Sequence, residues 1–250
     1  MINVVCVKYG NKYTEEHVNR LYEMVRRNLS LPFYFYCLTE NTNGLHSDIL
    51  SIPLDLNLEL ETYWYKLTIF NKDLYGNDNL TLYLDLDTIV QNPLDDLFKD
   101  PVSPMKIVFT DLFISLDKNH VEFCKHPNLV NSSIILFRPS RTNYITEHFL
   151  QNPDHYILEY KGVCRYLWYF FKDDFEFFEI IKDFYPVINN SQAWLNIPDH
   201  KKWISNNRVR NQYGSMSINF VPHSKIAMLN GASNYQVLER VYEVFSSYFK

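Results

Sequence analysis

Apolar positions along the chain follow two periods. Asn3–Val7 (N-V-V-C-V) is a continuous apolar run, as expected of a strand buried on both faces. A helix follows it. Thr14 is placed to cap its start, and Glu15 and Glu16 sit in the first turn, where the positive end of the helix dipole favours acids. Val18, Leu21, Tyr22, Val25 and Leu29 recur at helical spacing, Arg26 and Arg27 lie near the negative end, and Pro32 closes the segment. Phe33–Leu38 and Ile49–Ile52 read as further strands, and Tyr63–Phe70 as one or two helical turns. The turn residues Gly76-Asn77-Asp78-Asn79 then lead into a strong strand at Leu80–Leu84. Strand and helix alternate through the first 90 residues, which predicts an α/β fold with a mostly parallel sheet flanked by helices. The second half is less regular: strands at Lys106–Phe109, Asn131–Phe137 and Lys225–Leu229, and helices at Arg141–Leu150, Asp173–Asp183 and Tyr235–Tyr248. No repeat, low-complexity tract or linker interrupts the chain. The reading is one domain, 1–250, with halves 1–90 and 91–250.

Composition narrows the function. A chain of 250 residues buries roughly 70–75% of its unfolded surface and needs neither disulfides nor a structural metal to fold. The balance of 24 basic against 29 acidic side chains gives a net charge of −5, so no basic excess exists to neutralise nucleic-acid phosphates. Six glycines, with neither G-x-G-x-x-G nor a Walker pattern, leave little for a phosphate-cradling loop. Aromatic residues are abundant at 16%; they suit sugar-binding surfaces, and equally a bulky core. Lys8 interrupts the first apolar run too early for a signal peptide, no stretch reaches bilayer-spanning length, and Cys6, Cys37, Cys124 and Cys164 form no C-x-x-C pair. The expectation is a soluble, cytoplasmic protein in a reducing compartment.

The candidate chemistry lies in Leu80–Val90, L-T-L-Y-L-D-L-D-T-I-V. If the strand continues to Asp87, then Leu80, Leu82, Leu84 and Leu86 share one face. Asp85 and Asp87 share the other, roughly 6–7 Å apart. Two carboxylates this close repel by roughly 2–3 kcal/mol at an effective dielectric near 20. A divalent cation relieves that repulsion, and oxygen ligands suit Mn²⁺ or Mg²⁺. The carboxyl end of a strand is also where open α/β sheets bind ligands. The competing reading is a pair of solvated acids at the start of a loop, since D-x-D arises often by chance.

The surrounding motifs favour the metal. Val7-Lys8-Tyr9-Gly10, Tyr13 and Val18-Asn19-Arg20-Leu21-Tyr22 are followed by Phe33–Thr39, Tyr63-Trp64-Tyr65-Lys66-Leu67, Tyr83-Leu84-Asp85-Leu86-Asp87 and Asn131-Ser132-Ser133. In this order they resemble the GT-A glycosyltransferases related to the glycogenin-like family, including bacterial and viral members. The likeness covers the first 137 residues specifically and the rest loosely. It implies a single GT-A domain with a nucleotide-sugar-binding first half and an acceptor-side second half. It implies a nucleotide-sugar donor, with uridine the expected base, and a glycan, protein or lipid-linked acceptor. Val7, Lys8, Tyr9, Gly10 and Tyr13 would hold the base and ribose, with Thr39 nearby, and Leu86 lies within the donor site. Lys66 would reach the diphosphate or donor sugar. Asp85 and Asp87 would hold the metal, and Asn131 would touch the donor sugar or the acceptor.

The chain departs from the family at two places. Where relatives carry an acid near the acceptor, Gly162-Val163-Cys164-Arg165 places Cys164, while Asp173 and Asp174 follow about ten residues later; Asp174 is carried as a candidate catalytic acid. Where relatives end a late strand with His-Gly, this chain has Asn230-Gly231, with His223 near but out of register. The third metal ligand is therefore Asn230 or His223. The resemblance implies retention at the anomeric carbon, with inversion left open by the ambiguity at residue 164. Two other readings stand: a haloacid-dehalogenase-type phosphatase, in which Thr88 directly after Asp87 fits poorly, and a non-catalytic sugar-binding or inactive transferase-like module.

Overall fold

The computed structural model describes residues 1–110, 129–187, 204–211 and 214–229. Its main sheet has seven strands: β1 (Ile2–Lys8), β2 (Phe33–Thr39), β3 (Ile49–Pro53), β4 (Thr81–Leu84), β6 (Met105–Phe109), β7 (Val130–Phe137) and β8 (Phe175–Phe177). Their order is β3-β2-β1-β4-β7-β6-β8. The β3-β2-β1-β4 half is parallel, β7 runs antiparallel to both β4 and β6, and β8 is parallel to β6. The sheet is thus mixed but mostly parallel. A small sheet beside it places β12 (Ile226–Met228) between β5 (Thr88–Val90) and β9 (Phe184–Pro186). Strands β10 (Ile204–Asn211) and β11 (Gly214–Asn219) form a separate antiparallel pair.

Strand alternation explains the layering. Val4 and Cys6 of β1, Leu82 and Leu84 of β4, and Ile134 and Leu136 of β7 enter one core, together with the apolar face of helix α1 (Glu15–Asn28). Val5, Tyr83, Ile135 and Phe137 point to the opposite core. There they meet the 3₁₀ run Thr62–Phe70 and helices α2 (Pro139–Leu150), α3 (Pro153–Tyr160) and α4 (Val163–Phe171). Each central strand is apolar on both sides because both faces are covered. Much of the aromatic content serves this second core: Trp64 is 1% exposed and stacks on Phe149 at 5.6 Å, with Tyr166 edge-on to both.

The first-half elements lie within a residue or so of their expected positions, and Thr14 precedes α1 as its N-cap, its amide donating to His17 Nδ1. Two expectations change. Asp173–Asp183 is not a helix: Lys172–Asp174 is a 3₁₀ turn, and Phe175-Glu176-Phe177 becomes edge strand β8 beside β6. Its alternation of aromatic and acidic residues is a strand pattern, and pairing with β6 outweighs the helical reading. The strand bearing the acids stops at Leu84. Asp85–Asp87 turns, with the Thr88 amide donating to the Asp85 carbonyl at 3.2 Å and the Thr88 hydroxyl at 2.7 Å, and the chain passes into β5 of the small sheet. The helix expected at Tyr235–Tyr248 lies outside the described residues. Among the described residues no helix is long and apolar enough to cross a membrane.

Candidate active site

Strands β1 and β4 are parallel neighbours, so their carboxyl ends open at the same edge of the sheet. A cavity of about 460 Å³ lies there, lined by Val7, Tyr9, Lys12, Tyr13, Tyr63, Lys66, Tyr83, Asp85, Leu86 and Asp87. Asp85 and Asp87 therefore share one cleft, while Leu86 between them is buried in the α1-side core.

Asp85 is held tightly. Its backbone amide donates to the Ser133 carbonyl of β7 at 2.9 Å. Lys66 Nζ lies 2.8 Å from Oδ1 and 3.0 Å from Oδ2, and the Tyr83 hydroxyl donates to Oδ1. Lys66 comes from the Thr62–Phe70 run, whose buried Trp64, Tyr65, Leu67, Ile69 and Phe70 anchor it. Its ammonium also donates to the Ser132 carbonyl and hydroxyl, both at 3.1 Å. Ser132 in turn touches Cys164: its hydroxyl lies 3.3 Å from Sγ, and its amide donates to Sγ at 3.4 Å. Burial, reinforced by the Asp85 charge, pushes the Tyr83 phenol well above its usual range and keeps it a neutral donor.

Asp87 has the opposite environment. Burial raises its carboxyl pKa to about 6, and the Asp85 charge adds to the effect; Lys12 and Lys66 offset it in part. A half-buried carboxylate beside another carboxylate, only partly compensated by Lys12 and Lys66, offers the hard oxygen donors that suit Mn²⁺ or Mg²⁺. The donor set fits such an ion but is incomplete. Among the described residues no group of three His, Cys, Asp or Glu side chains could hold a metal.

The other expected residues are distributed as follows. Val7, Tyr9, Tyr13, Lys66 and Leu86 line the cavity with the two acids. Lys8, Gly10 and Thr39 are not among its lining residues and instead group around Glu40. Lys8 Nζ lies 3.9 Å from Oε1, the Gly10 amide donates to Oε1 at 3.0 Å, and the Thr39 hydroxyl contacts Oε2 and the Asn41 carbonyl. Gly10 takes φ +69°, a left-handed turn that a side chain would strain. Asn131 accepts the Ser133 amide at 2.8 Å, bracing the start of β7 next to Ser132. Asp174 lies against α2, accepting the Tyr144 hydroxyl at 2.5 Å, and is absent from the cavity lining. Of the two positions weighed for the acceptor-side acid, Cys164 is the one joined to Lys66 and Asp85 through Ser132.

His223 lines a different cavity, of about 680 Å³, with Asp95, Asp96, Lys182 and Lys225. Asn230 lies outside the described residues, but the chain just before it reaches the site: the Leu229 amide donates to the Asp87 carbonyl at 3.0 Å.

Lys12, Tyr83 and Ser132 were missed as site residues. Tyr83 was the most accessible of these, since it shares the strand face of Asp85. Lys12 sits in a loop, where no periodicity marks it. Ser132 is polar within an apolar strand and gains its meaning only from Lys66.

A mixed, mostly parallel seven-stranded sheet flanked by helices, in this strand order, is the GT-A fold of solved glycosyltransferases. The galactosyltransferase LgtC, solved with donor and acceptor sugar analogues, matches with a TM-score of 0.63 over 99% of this chain and 95% of its own, at 12% identity. The bifunctional glycosyltransferase WbbM matches with a TM-score of 0.60 over 92% of this chain and 46% of its own, at 13% identity. The glycosyltransferase GlyE of Streptococcus pneumoniae TIGR4 matches with a TM-score of 0.51 over 71% of this chain and 45% of its own, at 15% identity. By sequence, no family model and no curated protein matches the chain.

Proposed function

We propose that the protein is a metal-dependent glycosyltransferase that moves a sugar from a nucleotide-sugar donor, with UDP-sugars the expected class, to the hydroxyl of a glycan, protein or lipid-linked acceptor. The observation that carries this reading is the cavity at the ends of β1 and β4. It gathers two carboxylates, Asp85 and Asp87, and two ammonium groups, Lys12 and Lys66, on a fold shared with glycosyltransferases.

In the reaction the bond from the anomeric carbon to the distal phosphate oxygen breaks, and a bond from that carbon to the acceptor oxygen forms. The acceptor hydroxyl proton passes to the nucleoside diphosphate, which departs with the electron pair of the broken bond. Asp85 and Asp87 would hold Mn²⁺ or Mg²⁺, which when bound supplies positive charge to the departing diphosphate. Lys12 and Lys66 add positive charge at the same edge, stabilising the leaving group as its charge grows. Val7, Tyr9 and Tyr13, on the β1 side, offer an apolar and aromatic wall for the base. Tyr63, half-exposed at the rim, offers a ring face to a sugar. Retention at the anomeric carbon is the proposed stereochemistry; proton NMR of the first-formed product would show it.

The test is incubation with a panel of nucleotide sugars, with and without Mn²⁺, and detection of free nucleoside diphosphate and of inorganic phosphate. Mn²⁺-dependent nucleoside diphosphate, lost in Asp87→Asn, supports the reading. Inorganic phosphate alone would indicate a phosphatase. Tight nucleotide-sugar binding without turnover, with any acceptor offered, would indicate a binding module.

A further inference from the structure

The ammonium of Lys66 occupies the place where a cation at Asp85 would be expected to act. Its three protons meet three kinds of acceptor: the Asp85 carboxylate at 2.8 and 3.0 Å, the Ser132 carbonyl at 3.1 Å and the Ser132 hydroxyl at 3.1 Å. The group lies 5.0 Å from the Tyr83 ring centroid, and that tyrosine donates its hydroxyl to the same carboxylate. Lys66 is 6% exposed, so little water competes for these contacts. Asp85 is thus neutralised from within the protein, and both of its oxygens already accept hydrogen bonds.

From this we infer that Lys66 is the resident counter-ion of Asp85, giving up that carboxylate only when a nucleoside diphosphate arrives with the divalent cation. The inference rests on the proposed function and adds an order of events to it. While Lys66 holds Asp85, a free divalent cation meets a carboxylate already bound to positive charge, and it is repelled by that charge across a few ångströms. A diphosphate changes the balance, because its oxygens offer the ammonium new acceptors at the same edge of the sheet. The four-carbon stem of lysine allows the head group to move between partners without moving the backbone. Ser132 fixes the resting position and keeps the ammonium hydrogen-bonded within the site. Lys66 therefore has two opposed effects: it weakens capture of the free ion and strengthens capture of the ion with its nucleotide.

The opposed signs are what an experiment can read. Isothermal titration would measure Mn²⁺ binding alone, and then UDP binding in saturating Mn²⁺, for the wild type, Lys66→Met and Lys66→Arg. Lys66→Met should bind free Mn²⁺ at least about tenfold more tightly than wild type, and bind UDP with Mn²⁺ at least about tenfold more weakly. Lys66→Arg keeps the charge and should keep the weak free-ion affinity. Thermal melts check folding; if Lys66→Met does not fold, Lys66→Gln, whose amide can still donate to Ser132, takes its place with the same expected signs. Free Mn²⁺ binding that is unchanged or weaker in the neutral variant, or equally tightened in Lys66→Arg, would overturn the counter-ion role while leaving the transferase reading intact. A wild type that binds no member of a panel of nucleoside diphosphates, UDP included, at any Mn²⁺ concentration would instead remove the transferase reading, and this inference with it.

Discussion

Replacing Asp87 by asparagine should stabilise the metal-free protein, and more so as pH rises. Burial and the Asp85 charge raise the Asp87 pKa from an ordinary 3.8 to about 6. A carboxyl whose folded pKa is raised favours the folded state while protonated. That contribution is present below pH 3.8 and is lost as pH rises through about 6. A shift of roughly two units corresponds to about 3 kcal/mol of penalty above pH 7 and about 0.5 kcal/mol at pH 4. Asp87 keeps some solvent contact, which screens the repulsion, so about half of each figure is the expected gain. For a chain of this size, 1–2 kcal/mol raises Tm by about 2–8 °C, against about 1 °C at pH 4. Melting curves of wild type and Asp87→Asn at pH 4 and 7.5, in a chelator, would measure both shifts. Asp87→Asn should at the same time lose Mn²⁺-dependent nucleotide binding. A variant no more stable at pH 7.5, or stabilised equally at both pH values, would show that Asp87 carries no uncompensated charge, and the main electrostatic argument for a cation there would fall.

Further outcomes follow from individual contacts. Tyr83→Phe removes a hydrogen bond to a charged acceptor and should cost about 1.5–3 kcal/mol in urea denaturation, with the ring packing unchanged. Trp64→Ala empties a fully buried site stacked on Phe149 and should cost about 3–5 kcal/mol by the same measurement. Lys225 Nζ bridges Asp183 at 2.9 Å and Asp96 at 3.2 Å. Lys225→Met therefore leaves Asp183 buried without its cation and should cost about 3–5 kcal/mol in chemical denaturation, more than the loss of a surface ion pair. Asp174→Asn should leave kcat for transfer unchanged, because that carboxylate lies against Tyr144; a drop in kcat above about tenfold would return it to the catalytic machinery.

The parts of this protein legible in the sequence are those that repeat a pattern. The runs at Asn3–Val7 and Leu80–Leu84 read as buried strands because both faces of the sheet are covered. Leu82, Leu84 and Leu86 were assignable to one face, with Asp85 on the other, from strand alternation alone. The turn at Asp85–Asp87 was less visible, because it depends on Thr88 bonding back to Asp85 and on β5 joining a sheet whose other strands are distant in sequence. Phe175–Phe177 was misread because three residues carry too little periodicity to outweigh neighbouring helical signals; β6 decides the matter. The candidate site was legible to the extent that its acids and Lys66 line one cavity, but not in their pairing. Lys66 and Asp85 are nineteen residues apart, and Ser132, which holds the lysine, is a further forty-seven beyond Asp85. Only the folded sheet places β7 next to β4 and brings all three together. Cys164 likewise acquires its position from the packing of α4 against β7.

The central claim is that Asp85 and Asp87 hold a divalent cation for a nucleoside diphosphate at the ends of β1 and β4. Diffraction from crystals grown with MnCl₂ and UDP, measured at the manganese edge, tests it most directly. The account predicts one anomalous peak within direct coordination distance of an Asp85 or Asp87 oxygen and of the diphosphate, with Lys66 Nζ moved from Asp85 toward a phosphate. UDP bound in the cavity with no manganese peak beside either aspartate, or a manganese peak only at a site away from both, would contradict it.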